Sequence, residues 1–283
     1  MVRLIISLFF IFSLQLSAFH RSMFLQQALD KKLVTATGKA LGGHQGFCIN
    51  LTLKNLTKDS LVILIEAGRR LNSIEDINQD ILIVKQELLA LKSNELKRIN
   101  VKGYCCQASM HSPSKGAIYD INKLADSNLV KLARYLNKSK FDLQAEQSAV
   151  WAISEKRSAA NIASENDSLT QSLREMVAYI KGEELPWYRI LSQNYVYQNG
   201  AISCIYLKLQ GLVSLSTDQE NYITLCVRDE KGLNVCLVKS EWLKAGANQI
   251  YKLDLPIKGM ARGKYSLEIT SPDKQLLKRE FEI

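Results

Sequence analysis

The side chains in this 283-residue chain that could do chemistry are few: six cysteines, three histidines and three tryptophans. The cysteines are Cys48, Cys105, Cys106, Cys204, Cys226 and Cys236. A thiol is a nucleophile or a metal ligand only as its thiolate. No CxxC pair and no His/Cys cluster occurs, so neither structural zinc nor any other metal or cofactor is expected. The sequence has no Gly-x-Ser-x-Gly, no phosphate loop and no metal-ligand helix motif. Glu66 and Asp80 form no paired-carboxylate arrangement. His111, between Met110 and Ser112, is the histidine nearest to Cys105 in the chain and reads as a loop residue. Two segments are left: Tyr104-Cys105-Cys106, with Pro113 downstream, and Glu146-Gln147-Ser148-Ala149-Val150-Trp151. Each has a plain structural reading. Ala149 and Trp151 on a helix belong in a core, and Gln147 suits a seam between subdomains. Cys105 or Cys106 could bridge Cys48 across two strands, whereas a disulfide between the adjacent pair is strained. Cys204, Cys226 and Cys236 alternate with apolar residues and read as small buried hydrophobes.

These segments must be positioned by the elements around them. From about residue 30 to 104 the pattern is β. Phe47, Ile49, Leu51 and Leu53 alternate with Cys48, Asn50, Thr52 and Lys54, which predicts a half-buried strand. The runs 61–65 (LVILI) and 81–84 (ILIV) are short, apolar and β-branched, with turn residues between them. After Pro113 the period changes. Ile121, Leu124, Leu129, Leu132, Ala133 and Leu136 recur at helical spacing over 120–136, and a second helix is expected over about 144–155. A third opens on the capping box Ser168-Leu169-Thr170-Gln171 and ends at Gly182 and Pro186. Six strands are then predicted over 202–209, 222–228, 234–239, 249–255, 264–270 and 276–283. The expected fold class is α+β and multidomain. A β-sandwich subdomain over 19–118 joins a helical subdomain over 119–182. A linker over 183–200 leads to an Ig-like β-sandwich over 201–283.

With those elements in place, the two central segments resemble the thioester domains of bacterial surface adhesins. In that family an aromatic-Cys motif ends a β segment with a proline soon after, and Thr-Gln-x-Ala-x-Trp follows a helical stretch. Gln147, Ala149 and Trp151 fall on matching positions, and Cys105, directly after Tyr104, matches the family cysteine. The resemblance covers roughly residues 45–180. Glu146 stands where the family favours Thr, Cys106 offers a second thiol beside Cys105, and the spacing is compact for the family. The resemblance implies that a thiolate attacks the Gln147 carboxamide, ammonia leaves, and the internal thioester later acylates an amine on a partner. That chemistry needs a near-attack geometry, donors on the carbonyl oxygen and a dry site, for which Tyr104, Cys106, Ala149 and Trp151 are the expected cover. No neighbouring base is evident. The C-terminal unit resembles the Ig-like modules of flagellar-hook-cap proteins and of secretion-sorting domains. That likeness rests on Asp229-Glu230-Lys231-Gly232, Ala245-Gly246-Ala247-Asn248 and Gly263-Lys264-Tyr265. It implies a spacer or docking role.

Residues 1–18 carry Arg3, an apolar run from Leu4 to Leu16, then Ser17 and Ala18. That is the plan of a secretory signal peptide, too short for a membrane span of about 20 residues, with an uncleaved amphiphilic anchor as the alternative. The expected location is therefore periplasmic, cell-surface or extracellular, with no membrane span after signal removal. The formal charge of +9 is spread thinly along the chain, with no basic helix and no aromatic-plus-basic RNA motif. No nucleic-acid partner is expected. Two functions follow: covalent capture of an amine-bearing protein or other ligand through Cys105 and Gln147, or a non-covalent envelope module of the same fold. A turnover enzyme is not expected, because no nucleophile, base and orienting group can be named together.

Overall fold

The computed structural model describes residues 22–283 apart from 165, 166 and 199. The expected leader, 1–18, lies outside the described residues. The chain opens with strand β1 (Met23–Phe24) and helix α1 (Leu25–Asp30), followed by β2 (Val34–Ala40), β3 (Gln45–Asn55), β4 (Leu61–Ile65), β5 (Arg69–Ser73), β6 (Ile81–Ile83), β7 (Glu87–Leu91), β8 (Leu96–Cys105) and β9 (Ile118–Leu124). Six of these close a barrel in the order β2-β3-β8-β6-β5-β9, and β1-β4-β7 form a small sheet. Both share one core, in which Ile49, Leu51 and Leu53 of β3 meet Ile63 and Ile65 of β4 and Leu89 and Leu91 of β7.

The α+β reading holds, and the structure redraws its boundaries. The N-terminal β unit is a closed barrel with the small sheet against it. On β3 the register shifts between Gly46 and Ile49. The shift turns Phe47 to solvent and Cys48 inward, opposite to the alternation in the sequence. Residues 120–124, expected to begin a helix, belong instead to β9, whose pairing with β2 and β5 closes the barrel. The helix begins only after Asp126, whose carboxylate accepts from the backbone N–H groups of Asn128 and Leu129.

Three helices follow: α2 (Ser127–Lys138), α3 (Leu143–Ser154) and α4 (Asp167–Lys181). Asp142 caps α3 by accepting from Ala145 N–H. The capping box expected at Ser168 includes side chains outside the described ones. The helices bury Leu132, Leu136, Ala149, Val150, Leu173 and Val177 together with Leu82, Tyr104 and Cys106 from the barrel wall.

The stretch expected as a linker is mostly structured. It contains β10 (Tyr188–Val196), which pairs along β11 (Ile202–Thr217). With β12 (Asn221–Asp229), β13 (Asn234–Leu243), β14 (Gly246–Pro256), β15 (Lys264–Thr270) and β16 (Gln275–Glu282), these strands form two antiparallel sheets, β10-β11-β14 and β13-β12-β15-β16. Their facing apolar residues, among them Leu209, Ile223, Leu225, Leu267 and Ile269, form a separate core. No helix among the described residues is long and apolar enough to cross a membrane.

Candidate functional site

β8 runs out of the barrel wall at Tyr104-Cys105 and passes under α3. Side chains alternate along a strand. Tyr104 and Cys106 therefore face the helices, and Cys105 faces the barrel core beside Cys48 and Tyr119. On α3, Glu146 and Gln147 project onto this strand end and are fully buried. Gln147 brackets the Cys105 main chain. Its Oε1 accepts from Cys105 N–H at 3.2 Å, and its Nε2 donates to Cys105 C=O at 2.8 Å. A carboxamide has one acceptor group and one donor group, and both are used on one residue. The Cys105 N–H is shared with His44 C=O at 3.0 Å.

Glu146 is the second bolt of the same joint. Its carboxylate accepts from the Tyr104 hydroxyl and lies 2.9 Å from Lys102 Nζ. Burial, followed by the hydrogen bond to Glu146, raises the Tyr104 phenol well above its ordinary range. The residue that departs from the adhesin motif thus has a structural task here, tying α3 to β8. Beyond Cys106, the loop is pinned to the far end of α3. Ser154 Oγ donates to Cys106 C=O at 2.7 Å, and Ala108 N–H donates to Glu155 Oε1 at 2.6 Å.

All six cysteines are thiols. Burial raises the Cys105 thiol well above its ordinary value and pushes Cys106 and Cys48 up to about 12. Desolvation disfavours the thiolate in each case. Cys48 shares the barrel core with Cys105 and donates to Gly103 C=O at 3.5 Å.

Trp151, one turn beyond Gln147, is 1% exposed. Its ring stacks on His44 at 6.3 Å between centroids with 12° between planes, and the Arg157 guanidinium lies 5.0 Å from its centroid. Ala149 is buried among the helices. The structure therefore brings Tyr104, Cys105, Cys106, Gln147, Ala149 and Trp151 to one corner. His111 lies in a loop whose main chain bonds to Ile77 and Gln79.

His44 is the residue that sequence reasoning missed. It sits in Gly-Gly-His-Gln-Gly, between β2 and β3, about sixty positions before Cys105. Burial lowers its imidazole below the usual 6.5. The glycines on both sides were the available signal, since they mark a tight turn in which an imidazole can be held in place.

No protein-family model matches the chain, and no curated protein matches it. Two solved structures align with it: a β-glucosidase from Kluyveromyces marxianus and DesR, a β-glucosidase from Streptomyces venezuelae in complex with D-glucose. The first is 11% identical over 83% of this chain and 44% of the other, with a TM-score of 0.23. The second is 9% identical over 87% and 47%, with a TM-score of 0.18. The chain spans less than half the length of either, and similarity at this level carries no argument about fold or function. Among the described residues no cluster of His, Cys, Asp and Glu could hold a metal ion.

Proposed function

We propose that this is an exported surface or extracellular binding protein whose Cys105 and Gln147 form an internal thioester for covalent capture of an amine-bearing partner. The observation that carries this reading is the two-point contact of the Gln147 carboxamide with Cys105 in a fully buried corner. The contact favours Cys105 over Cys106 as the thiol. It holds the acyl carbon beside the main chain of the nucleophile's own residue, and bond formation then needs the Cys105 side chain to turn from the barrel core toward it. It also leaves an N–H on Oε1, where negative charge develops when sulfur adds to the carbonyl.

The bookkeeping of atoms is simple. Sulfur bonds to the Gln147 side-chain carbonyl carbon, the C–N bond breaks, and the thiol proton leaves with the nitrogen as ammonia. In the second step a partner amine bonds to the same carbon. The C–S bond breaks, the amine proton returns to sulfur, and an amide cross-link remains. The acyl group is used once, which separates this chemistry from a turnover enzyme. The first step needs a base, because burial holds the Cys105 thiol protonated. His44, neutral and packed on Trp151, is the imidazole that the fold supplies at this corner.

A second reading, a non-covalent envelope module, draws on the same contact. The Cys105 thiol is directed to the barrel core, and both Gln147 amide groups are satisfied, as in a clamp between helix and barrel. Intact-mass measurement of the mature protein separates the two. Loss of one ammonia that disappears in Cys105→Ala and in Gln147→Ala supports the thioester. A full mass in freshly purified protein leaves the clamp.

A further inference from the structure

The β10–β11 hairpin belongs to the C-terminal unit, yet its far end rests on the loop after Cys106 and on α3, the two segments that flank the Cys105–Gln147 contact. We infer that this hairpin is the outer wall of the acyl site, with Ile202 acting as a positioning residue through Trp151. On this inference the C-terminal unit controls how fast water and amines reach the bond. The inference rests on the thioester reading above and adds to it a role for a unit that the sequence marks only as a spacer or docking module.

Four contacts place the hairpin. Ile202 N–H donates to Ala108 C=O at 3.1 Å, and Ser112 N–H donates to Gly200 C=O at 3.0 Å, both in the loop that leaves Cys106. Asn194 Nδ2 donates to Gln144 Oε1 at 3.0 Å, on α3 about one turn before Gln147. Ile202 itself is buried in a small cluster of its own with Ala108 and Trp151. The hairpin thus holds both the loop after the cysteines and the helix that carries the glutamine. Gly200 is needed for this approach. Its φ is +80°, and a Cβ there would stand 3.1 Å from Ser112 N.

The wall is built differently from the joint beneath it. At Cys105 both amide groups of Gln147 are bonded. Under the hairpin, Trp151 Nε1, Ser112 Oγ and Asn194 Oδ1 are all buried with no hydrogen-bond partner among the described residues. None of the three makes a protein hydrogen bond that would add to the hold on the hairpin. The apolar cluster that holds it has only three members. A contact held by three hydrogen bonds and so small an apolar cluster is balanced for opening, as access to the bond by a partner amine requires.

The test uses the full-length protein, methylamine as the amine, and intact mass as the readout. Wild type is compared with Ile202→Ala, Ile202→Val and Asn194→Ala. The expected result is methylamine capture about tenfold faster in Ile202→Ala, near wild type in Ile202→Val, and intermediate in Asn194→Ala. The thermal midpoints of Ile202→Val and Asn194→Ala should stay near wild type. Equal capture rates in all four proteins, each carrying the ammonia-deficient mass, would overturn the wall and leave the thioester standing. A full mass in wild type overturns the thioester. Iodoacetamide labelling of Cys105 in the same four proteins then decides the wall, faster labelling in Ile202→Ala supporting it and equal labelling refuting it.

Discussion

The joint between barrel and helices adds a buried polar cluster to its apolar packing, which the core of the C-terminal sandwich does not. The sandwich core is apolar throughout: Leu209, Ile223, Leu225, Val227, Leu267 and Ile269 face one another across two sheets. The joint buries Tyr104, Glu146 and Gln147 at full depth and satisfies them with Lys102 and the Cys105 main chain. An apolar core is non-directional and tolerates repacking. A buried polar joint holds only one geometry, and removing one partner leaves the other desolvated. Stability alone does not require a buried carboxamide against a thiol residue, so the joint is where a function should be sought.

The difference can be broken by substitution. Glu146→Ala should have the largest effect, because it leaves the Lys102 ammonium and the Tyr104 hydroxyl without their buried partner. Breaking such a pair costs about 3–5 kcal/mol, and urea unfolding with the barrel as reporter measures it. Leu225→Ala in the sandwich should cost about 2–5 kcal/mol yet leave the barrel–helix unit and the mass of Cys105 unchanged. Equal loss of both units in that variant would contradict their separate cores. Gln147→Ala should cost about 1–3 kcal/mol by stranding the Cys105 carbonyl, while it abolishes any ammonia loss. A stability cost without a change in mass would assign Gln147 to the clamp.

Two smaller effects are pH-dependent. The thiols of Cys48, Cys105 and Cys106 are raised on folding. Unfolded thiols ionise first as pH rises, so stability should fall above about pH 9, and Cys106→Ala should flatten that slope. His44 has the opposite sense. Its folded value lies below 6.5, so as pH falls below 6.5 the unfolded chain binds the proton first and stability declines. If His44 is the base, thioester formation should slow with an inflection below 6.5, and His44→Gln should slow it above that inflection. An unchanged profile in His44→Gln would reduce the residue to packing.

Much of this architecture is legible in the sequence, and the misses share a cause. The six strands of the sandwich follow from alternation and turns, although β11 runs on to Thr217 because it pairs β10 at one end and β14 further along. Within β9, Ile121 and Leu124 happen to extend the helical spacing of α2, and only pairing with β2 and β5 marks the segment as strand. Alternation alone puts Phe47 on the inward face with Ile49 and Leu51, because a bulge is invisible to periodicity. Cys105, Gln147 and Trp151 could be found because residue type and order carry their signal. His44 carries only the weak turn signal of its flanking glycines, because its nearness to Trp151 is created by α3 packing against the β2–β3 turn.

The thioester is tested most directly by peptide mapping of freshly purified protein digested without reductant or added amine. A linked peptide pair containing Cys105 and Gln147, lighter by one ammonia, is the expected result. An intact Gln147 peptide at full mass, with Cys105 quantitatively alkylated after unfolding, would contradict it.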